Sequence, residues 1–429
     1  MGQLAINGGS PSITLTQDAA VAWPNIGPEE LAATARVLIE PNYSFYEEAH
    51  RLEEEFAAYV GGKYALAHTN GTAAIHAALF ALGIQPGDEV LVPSHTYWAS
   101  CLPVAAAVNG VPVFVDIDPD SLNMDPADIE RKITPRTRAI MVVHLGGVPC
   151  EMDRIMDIAR QHGLKVIEDA SHAHGAVYHG RKIGVVGDIG CFSLQASKLL
   201  PGIEGGILVT DEREYFERAV ALGHYERVRN LPEDSPYRQY DVTGLGFKYR
   251  IHPAAAAVTR SLLARFDSFN EARNQLMGYL DERLAEVPGF APMAVPSDAK
   301  RVYYTYRVHF KSEEVGGVSL GQMIAALRAE GVMAAPERYA PQHLQPAYRD
   351  EIRRVYRLVG RDEEWQPPHL PVTESIHERL IGLPTFPQGT PELVEQYARA
   401  FQKVAEGWRD IPQVDVDRGP VDGSRSTIR

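Results

Sequence analysis

Residues 164–176 read LKVIEDASHAHGA, and residues 187–210 read GDIGCFSLQASKLLPGIEGGILVT. The runs LKVIED, GCFSL and GGILVT are short and apolar along their length rather than alternating, the pattern of strands covered on both faces. Working upstream, EVLVPS (89–94), VPVFVDI (111–117) and AIMVVHL (139–145) have the same character. Amphipathic stretches lie between them, among them NGTAAIHAALFALGI (70–84) and CEMDRIMDIARQHG (150–163). Strands alternating with helices over about 55–210 predict an α/β unit with a mostly parallel sheet. Ligands in such sheets sit beyond the carboxyl ends of the strands, where Asp169 and the segment PSHTYWAS (93–100) fall.

Downstream, residues 211–265 read as helical around a polar loop, RVRNLPEDSPYRQYD (227–241), and one long helix is expected over 261–287. The texture then changes. VYYTYRVHF (302–310) reads as a strand, and 318–331 and 391–408 read as helices. This predicts an N-terminal segment and large α/β domain over 1–269 and a smaller α+β domain over 270–411. The polar, aperiodic tail 412–429 is expected to be disordered.

The chain has 429 residues and a formal net charge of −14, with basic residues scattered rather than clustered. That balance argues against nucleic acid or an anionic membrane as partner. Three separated cysteines, Cys101, Cys150 and Cys191, without metal spacing, suit a reducing cytoplasm. The first residues lack the pattern of a signal peptide, and no apolar run approaches the roughly 20 residues of a membrane span.

Lys198 follows a serine-containing turn, and Asp169 ends the preceding strand. That pairing is what pyridoxal 5'-phosphate (PLP) chemistry requires: an amine for the cofactor aldehyde, and a carboxylate that keeps the pyridine nitrogen protonated. Gly71 and Thr72 open a helix and suit either a phosphate or a plain N-cap. Tyr97 is placed to stack on a planar cofactor or to fill the core, and its neighbour Trp98 reads as a core aromatic. Two readings also stand for His172: a partner of the cofactor's phenolic oxygen, or a core histidine. His172 and His174 form a His-x-His pair without a third ligand at metal spacing, so no metal is expected. Ser193 and Ser197 each offer a hydroxyl to a phosphate.

Taken in order, NGTAAIHAAL, GDEVLVPSHTYWAS, VFVDIDPDSLNMDP, VVHLGGVPCEMD, VIEDASHAHGA, GDIGCFSLQASK, GFKYR and LPTFPQGTPELVEQ resemble the DegT/StrS-type sugar aminotransferases, PLP enzymes of fold type I. The resemblance spans nearly the whole chain. It implies that Lys198 is the Schiff-base lysine and that Asp169 pairs with the pyridinium nitrogen. Tyr97 would stack on the ring, and Gly71, Thr72 and Ser193 would hold the phosphate. His172 stands where many members have Gln. The family's Gly-x-Asn-x-Arg reads Gly246-Phe247-Lys248-Tyr249-Arg250, so Lys248 replaces an Asn that reaches the phosphate of the neighbouring subunit. Arg250 becomes a candidate for the amino donor's carboxylate. The family's Gly-Glu-Gly-Gly reads Ile203-Glu204-Gly205-Gly206, and IHPAAAAV (251–258) lacks the usual Glu and Gln.

The resemblance implies a homodimer with shared sites and a ping-pong transfer from L-glutamate or L-glutamine to a keto sugar or ketocyclitol. LAINGGSP (4–11) and VAWPNIG (21–27) look like the branch of inosose aminotransferases and aminohydroxybenzoate synthase, hence antibiotic-type metabolism. Two rivals stand beside this reading: a PLP-dependent sugar dehydratase of the same fold, whose members carry His at the lysine position, and, from another class, a PLP-binding regulator without turnover. Lys198 stands against the first, and the Lys198–Asp169 pair against the second.

Overall fold

The protein is described here from a computed structural model covering residues 2–39 and 47–413. Most of the tail, from residue 414, lies outside the described residues. Strands β1 (Tyr64–His68), β2 (Glu89–Pro93), β3 (Val111–Val115), β4 (Thr137–Val143) and β5 (Lys165–Asp169) come first. The short strands β6 (Val177–Tyr178) and β7 (Arg181–Lys182) precede β8 (Ile189–Ser193) and β9 (Gly206–Thr210). Seven strands form the main sheet in the order β1-β9-β8-β5-β4-β2-β3. Pairings β2–β3, β2–β4, β4–β5 and β5–β8 are parallel, and only β9 runs against its neighbours β1 and β8. The mixed, mostly parallel sheet matches the expected fold class. β1 was not anticipated.

Alternate strand residues enter different cores, as a period of two demands. Leu91, Val115, Ile140, Val142, Val166 and Phe192 pack on one face. Val90, Val92, Phe114, Met141, Ile167 and Cys191 pack on the other, under Ala74, Ile75 and Leu79 of helix Gly71–Leu82. By the same parity, Asp169 and Ser193 leave the ends of β5 and β8 on the face that this helix covers.

The chain continues through β10 (Phe290–Pro292), β11 (Ala299–Lys300), β12 (Tyr306–Phe310), β13 (Ala335–Pro336) and β14 (Leu380–Leu383). A four-stranded sheet, β10-β12-β14-β13, shares an apolar core with helices Leu320–Ala329 and Pro391–Glu406. Leu4, Ile13 and Ala20 from the N-terminus join this core, far along the chain from the residues they touch.

Two expectations are corrected. The helix over 261–287 is two helices, Pro253–Leu263 and Phe266–Ala285. The chain turns at Arg265, which leaves helical geometry and pairs with the buried Glu30. The strand expected over 302–310 begins only at Tyr306. The amides of Val302 and Tyr304 donate instead to the carbonyls of Gly147 and Gly146, at 3.0 and 3.3 Å. Gly147 permits this approach, because a Cβ there would lie 2.2 Å from the Val302 carbonyl oxygen.

Candidate active site

Glu168 and Asp169 are adjacent in β5 and so face opposite ways. Glu168 is fully buried and accepts from the amides of Gly184, Val186 and Gly187 at 2.9, 2.7 and 2.6 Å. Burial pushes its carboxyl up, but His144 and these amides outweigh that and hold it below the usual carboxylate range. It is a structural acid. Asp169 lies at the strand end, where Ser100 Oγ donates to Oδ2 at 2.6 Å and the Ser171 amide donates to Oδ1 at 3.0 Å. The carboxylate is thus fixed in orientation.

The start of helix Gly71–Leu82 lies against Ser193. Asn70 caps it, its Oδ1 accepting from the Ala73 amide at 2.8 Å. The amides of Gly71 and Thr72 belong to the first turn, which has no intrahelical acceptor. A Cβ on Gly71 would come within 2.8 Å of Ser193 Cβ, so glycine is what lets two backbones and a hydroxyl converge. Free N–H groups and the positive end of a 12-residue helix, with Ser193 Oγ beside them, would suit a phosphate.

Lys198 is held through its main chain. Its amide donates to Gln195 O at 2.8 Å, and its carbonyl accepts from the indole Nε1 of Trp23 at 2.7 Å. Arg273, buried on helix Phe266–Ala285, stacks over the Trp23 ring at 4.6 Å. Lys198 Nζ lies 4.4 Å from the centroid of the Tyr304 ring. The Tyr304 hydroxyl shares a hydrogen bond with Ser197 Oγ at 3.2 Å. Burial pushes this phenol up, but Lys198, Ser197 and Arg338 outweigh that and hold it below the usual tyrosine value.

His172 is buried and stacks on Tyr304 with centroids 4.3 Å apart, while its Nδ1 accepts from the Gly146 amide at 3.4 Å. Burial first, then the charges of Lys198, Arg307 and Arg338, hold it well below the usual histidine value, so the ring is neutral. His174 faces Phe192 in the core and is lowered to about 3, chiefly by burial. Among the described residues no cluster of three or more His, Cys, Asp or Glu is placed to hold a metal ion.

Tyr97 is 47% exposed. Trp98, expected in the core, is 43% exposed, with its ring 5.1 Å from that of Tyr97. Alternation fails here because Trp98–Ser100 is a 3-10 turn rather than extended chain. Lys248 is exposed and bridges to His224 only through its backbone. Arg250 Nη1 pairs with Glu226 Oε2 at 2.6 Å. Ile203, where the family has Gly, takes φ = +70°, a left-handed conformation costly for a β-branched residue.

The DegT/DnrJ/EryC1/StrS aminotransferase family model matches residues 24–402. The chain belongs to this family. Among members, L-glutamine:scyllo-inosose aminotransferase of Streptomyces griseus is 34% identical over 422 residues, covering 95% of this chain and 99% of that protein. L-glutamine:2-deoxy-scyllo-inosose aminotransferase of Streptoalloteichus tenebrarius is 36% identical over 392 residues, covering 88% and 91%. The crystal structure of 3-amino-5-hydroxybenzoic acid synthase superposes with a TM-score of 0.75 at 27% identity, covering 90% and 98%. As a member of the DegT/DnrJ/EryC1/StrS family the chain is a PLP-dependent transaminase.

The residues present suit that cofactor: a phosphate cradle that a Cβ at Gly71 would fill, an oriented buried carboxylate and a lysine amine. Sequence reasoning missed Trp23, Ser100, Tyr304 and Arg338. Trp23 was visible only as part of VAWPNIG, and Tyr304 was hidden inside a presumed strand.

Proposed function

We propose that this transaminase takes its amino group from L-glutamine or L-glutamate and delivers it to the ketone of a ketocyclitol or keto sugar in aminocyclitol or aminosugar biosynthesis. The observation that carries this reading is Lys198, held at both ends of its peptide unit and facing a wall of Tyr304 and neutral His172. Full-length similarity to two L-glutamine:inosose aminotransferases supports the choice of donor and acceptor.

When bound, PLP supplies an aldehyde for amines and a ring that accepts the electron pair left at Cα. Lys198 Nζ is the amine that would hold the cofactor through its aldehyde. The same amine, when free, would take the donor's Cα proton as general base and give it back as general acid. Asp169 holds a proton on the pyridine nitrogen, and Ser100 and Ser171 keep its carboxylate aimed. Gly71, Thr72 and Ser193 bind the phosphate, and Tyr97 covers the ring. Neutral His172 offers an N–H to the phenolic oxygen without adding charge. The enzyme works in the cytoplasm as a homodimer in which Lys248 reaches the partner's phosphate. The division at 270 separates a cofactor domain from a smaller one.

Borohydride reduction followed by peptide mapping should place the pyridoxyl group on Lys198. L-glutamine or L-glutamate should convert the cofactor to its amine form in wild type but not in Lys198→Ala. Asp169→Asn should bind PLP yet turn over slowly. A label on another lysine, or no conversion with either donor, refutes the reading.

A further inference from the structure

We propose that Arg338 is the docking group for the α-carboxylate of the amino donor, in place of the Arg250 suggested by motif position. This rests on the transaminase reading above and adds a residue to it. Three guanidinium groups bear on the choice. Arg250 is paired with Glu226 at 2.6 Å. Arg307 is buried, with Nη2 3.3 Å from Glu337 Oε1 and Nη1 donating to Thr305 Oγ1 at 2.6 Å, so its fork is occupied.

Arg338 forms no ion pair among the described residues. Among the described residues its side chain makes one hydrogen bond, from Nη2 to the Tyr339 hydroxyl at 3.2 Å, and lies over that ring at 5.0 Å. It is exposed, and its charge is felt by Tyr304 and His172, the two rings beside Lys198. Its position is stiff. Glu337 Oε1 accepts from the amides of Arg338 and Tyr339, both at 2.9 Å, while the same carboxylate is clamped by Arg307. The Tyr339 ring lies parallel to His172 at 6.2 Å, which continues the wall from Lys198 through Tyr304 to Arg338. A planar fork without a carboxylate partner among the described residues, on a preorganised loop beside the Tyr339–His172–Tyr304 stack that Lys198 lies over, suits a carboxylate.

The test uses PLP-loaded full-length enzyme and 2-methylglutamate, which carries both donor groups but no Cα proton. Calorimetric titration should show Arg338→Gln binding it about 10- to 100-fold more weakly than wild type, the worth of a charge-assisted contact. Arg338→Lys, with charge but no fork, should fall between. PLP content and thermal unfolding of both variants should match wild type, since the side chain is exposed. The preference for L-glutamine over its decarboxylated amine, 4-aminobutanamide, should collapse in Arg338→Gln. Equal 2-methylglutamate binding in wild type and Arg338→Gln overturns the assignment and leaves the transaminase reading standing. No binding of either 2-methylglutamate or 2-methylglutamine, even to wild type, removes the donor reading beneath it. If Arg338→Gln loses affinity for inorganic pyrophosphate but keeps 2-methylglutamate, the arginine reads the diphosphate of a nucleotide-linked acceptor and the proposal fails.

Discussion

Gly71→Ala isolates the phosphate cradle. Gly71 is the first residue of its helix and carries no positive φ, so alanine suits the local backbone. The new Cβ would lie 2.8 Å from Ser193 Cβ, 3.1 Å from its Cα and 3.3 Å from its Oγ. Carbon pairs rest at about 3.5–4.0 Å, so the helix start must move by roughly an ångström. Overpacking of this kind costs about 1–3 kcal/mol. Without cofactor much of that cost is recovered, because alanine favours helix by up to about 1 kcal/mol and the empty cradle can open. With cofactor the displacement would pull the Gly71 and Thr72 amides away from a phosphate held there while Ser193 stays behind. PLP retention should therefore fall about 5- to 150-fold while apo-protein unfolding shifts little. Ultrafiltration with absorbance of the bound fraction measures the first, and thermal melts of apo-protein the second. Gly71→Ala with Ser193→Gly removes the colliding carbon and should regain part of the affinity. Wild-type retention in Gly71→Ala, or an apo-protein destabilised as much as the holoenzyme, would refute the cradle.

Trp23→Phe keeps an aromatic ring for Arg273 but removes the donor to the Lys198 carbonyl. One net hydrogen bond, about 1 kcal/mol, predicts a several-fold lower rate of donor half-reaction with PLP content unchanged, read by stopped-flow absorbance. The fully buried His68, at about 4, and His174, at about 3, are lowered from 6.5 chiefly by burial, and so the unfolded chain binds protons first. Their stability contribution is complete above pH 6.5 and falls as pH drops toward those values, by up to about 1.4 kcal/mol per histidine per pH unit. Denaturant titrations from pH 7 to 5 check this, and a flat profile would contradict it. Mixing Lys198→Ala with Lys248→Ala chains should restore one intact site per heterodimer. Verified heterodimers without recovered activity exclude a phosphate contact across subunits.

Much of the sheet was legible because β2, β4, β5 and β8 are continuous apolar runs, and an acid or hydroxyl at the end of such a run stands out. Asp169 and Ser193 were therefore visible as candidate site residues. β1, reading YALAH, was not, since an alanine-rich pentapeptide between helices carries no distinct period. Tyr304 shows a second limit. VYYTYRVHF has strand composition throughout, and only the tertiary bonds from Val302 and Tyr304 to Gly147 and Gly146 divert its first half into the site. Arg338 was invisible for another reason. An arginine in a loop reads as solvated, and what sets it apart is that Glu337 spends its charge on Arg307, which no local pattern reveals.

The bond from Trp23 to the Lys198 carbonyl has a consequence for the order of synthesis. Leu4, Ile13 and Ala20, just before Trp23, pack into a core built mostly from residues 277–411. During translation the surface on which these N-terminal residues rest is incomplete until helix Pro391–Glu406 leaves the ribosome. The main sheet, with Asp169 and Lys198, is made well before that. A nascent chain can thus display Lys198 while its carbonyl still lacks the indole. Cofactor capture should mature only once helix Pro391–Glu406 has emerged and packed, and a bulky fusion before Leu4 would delay it.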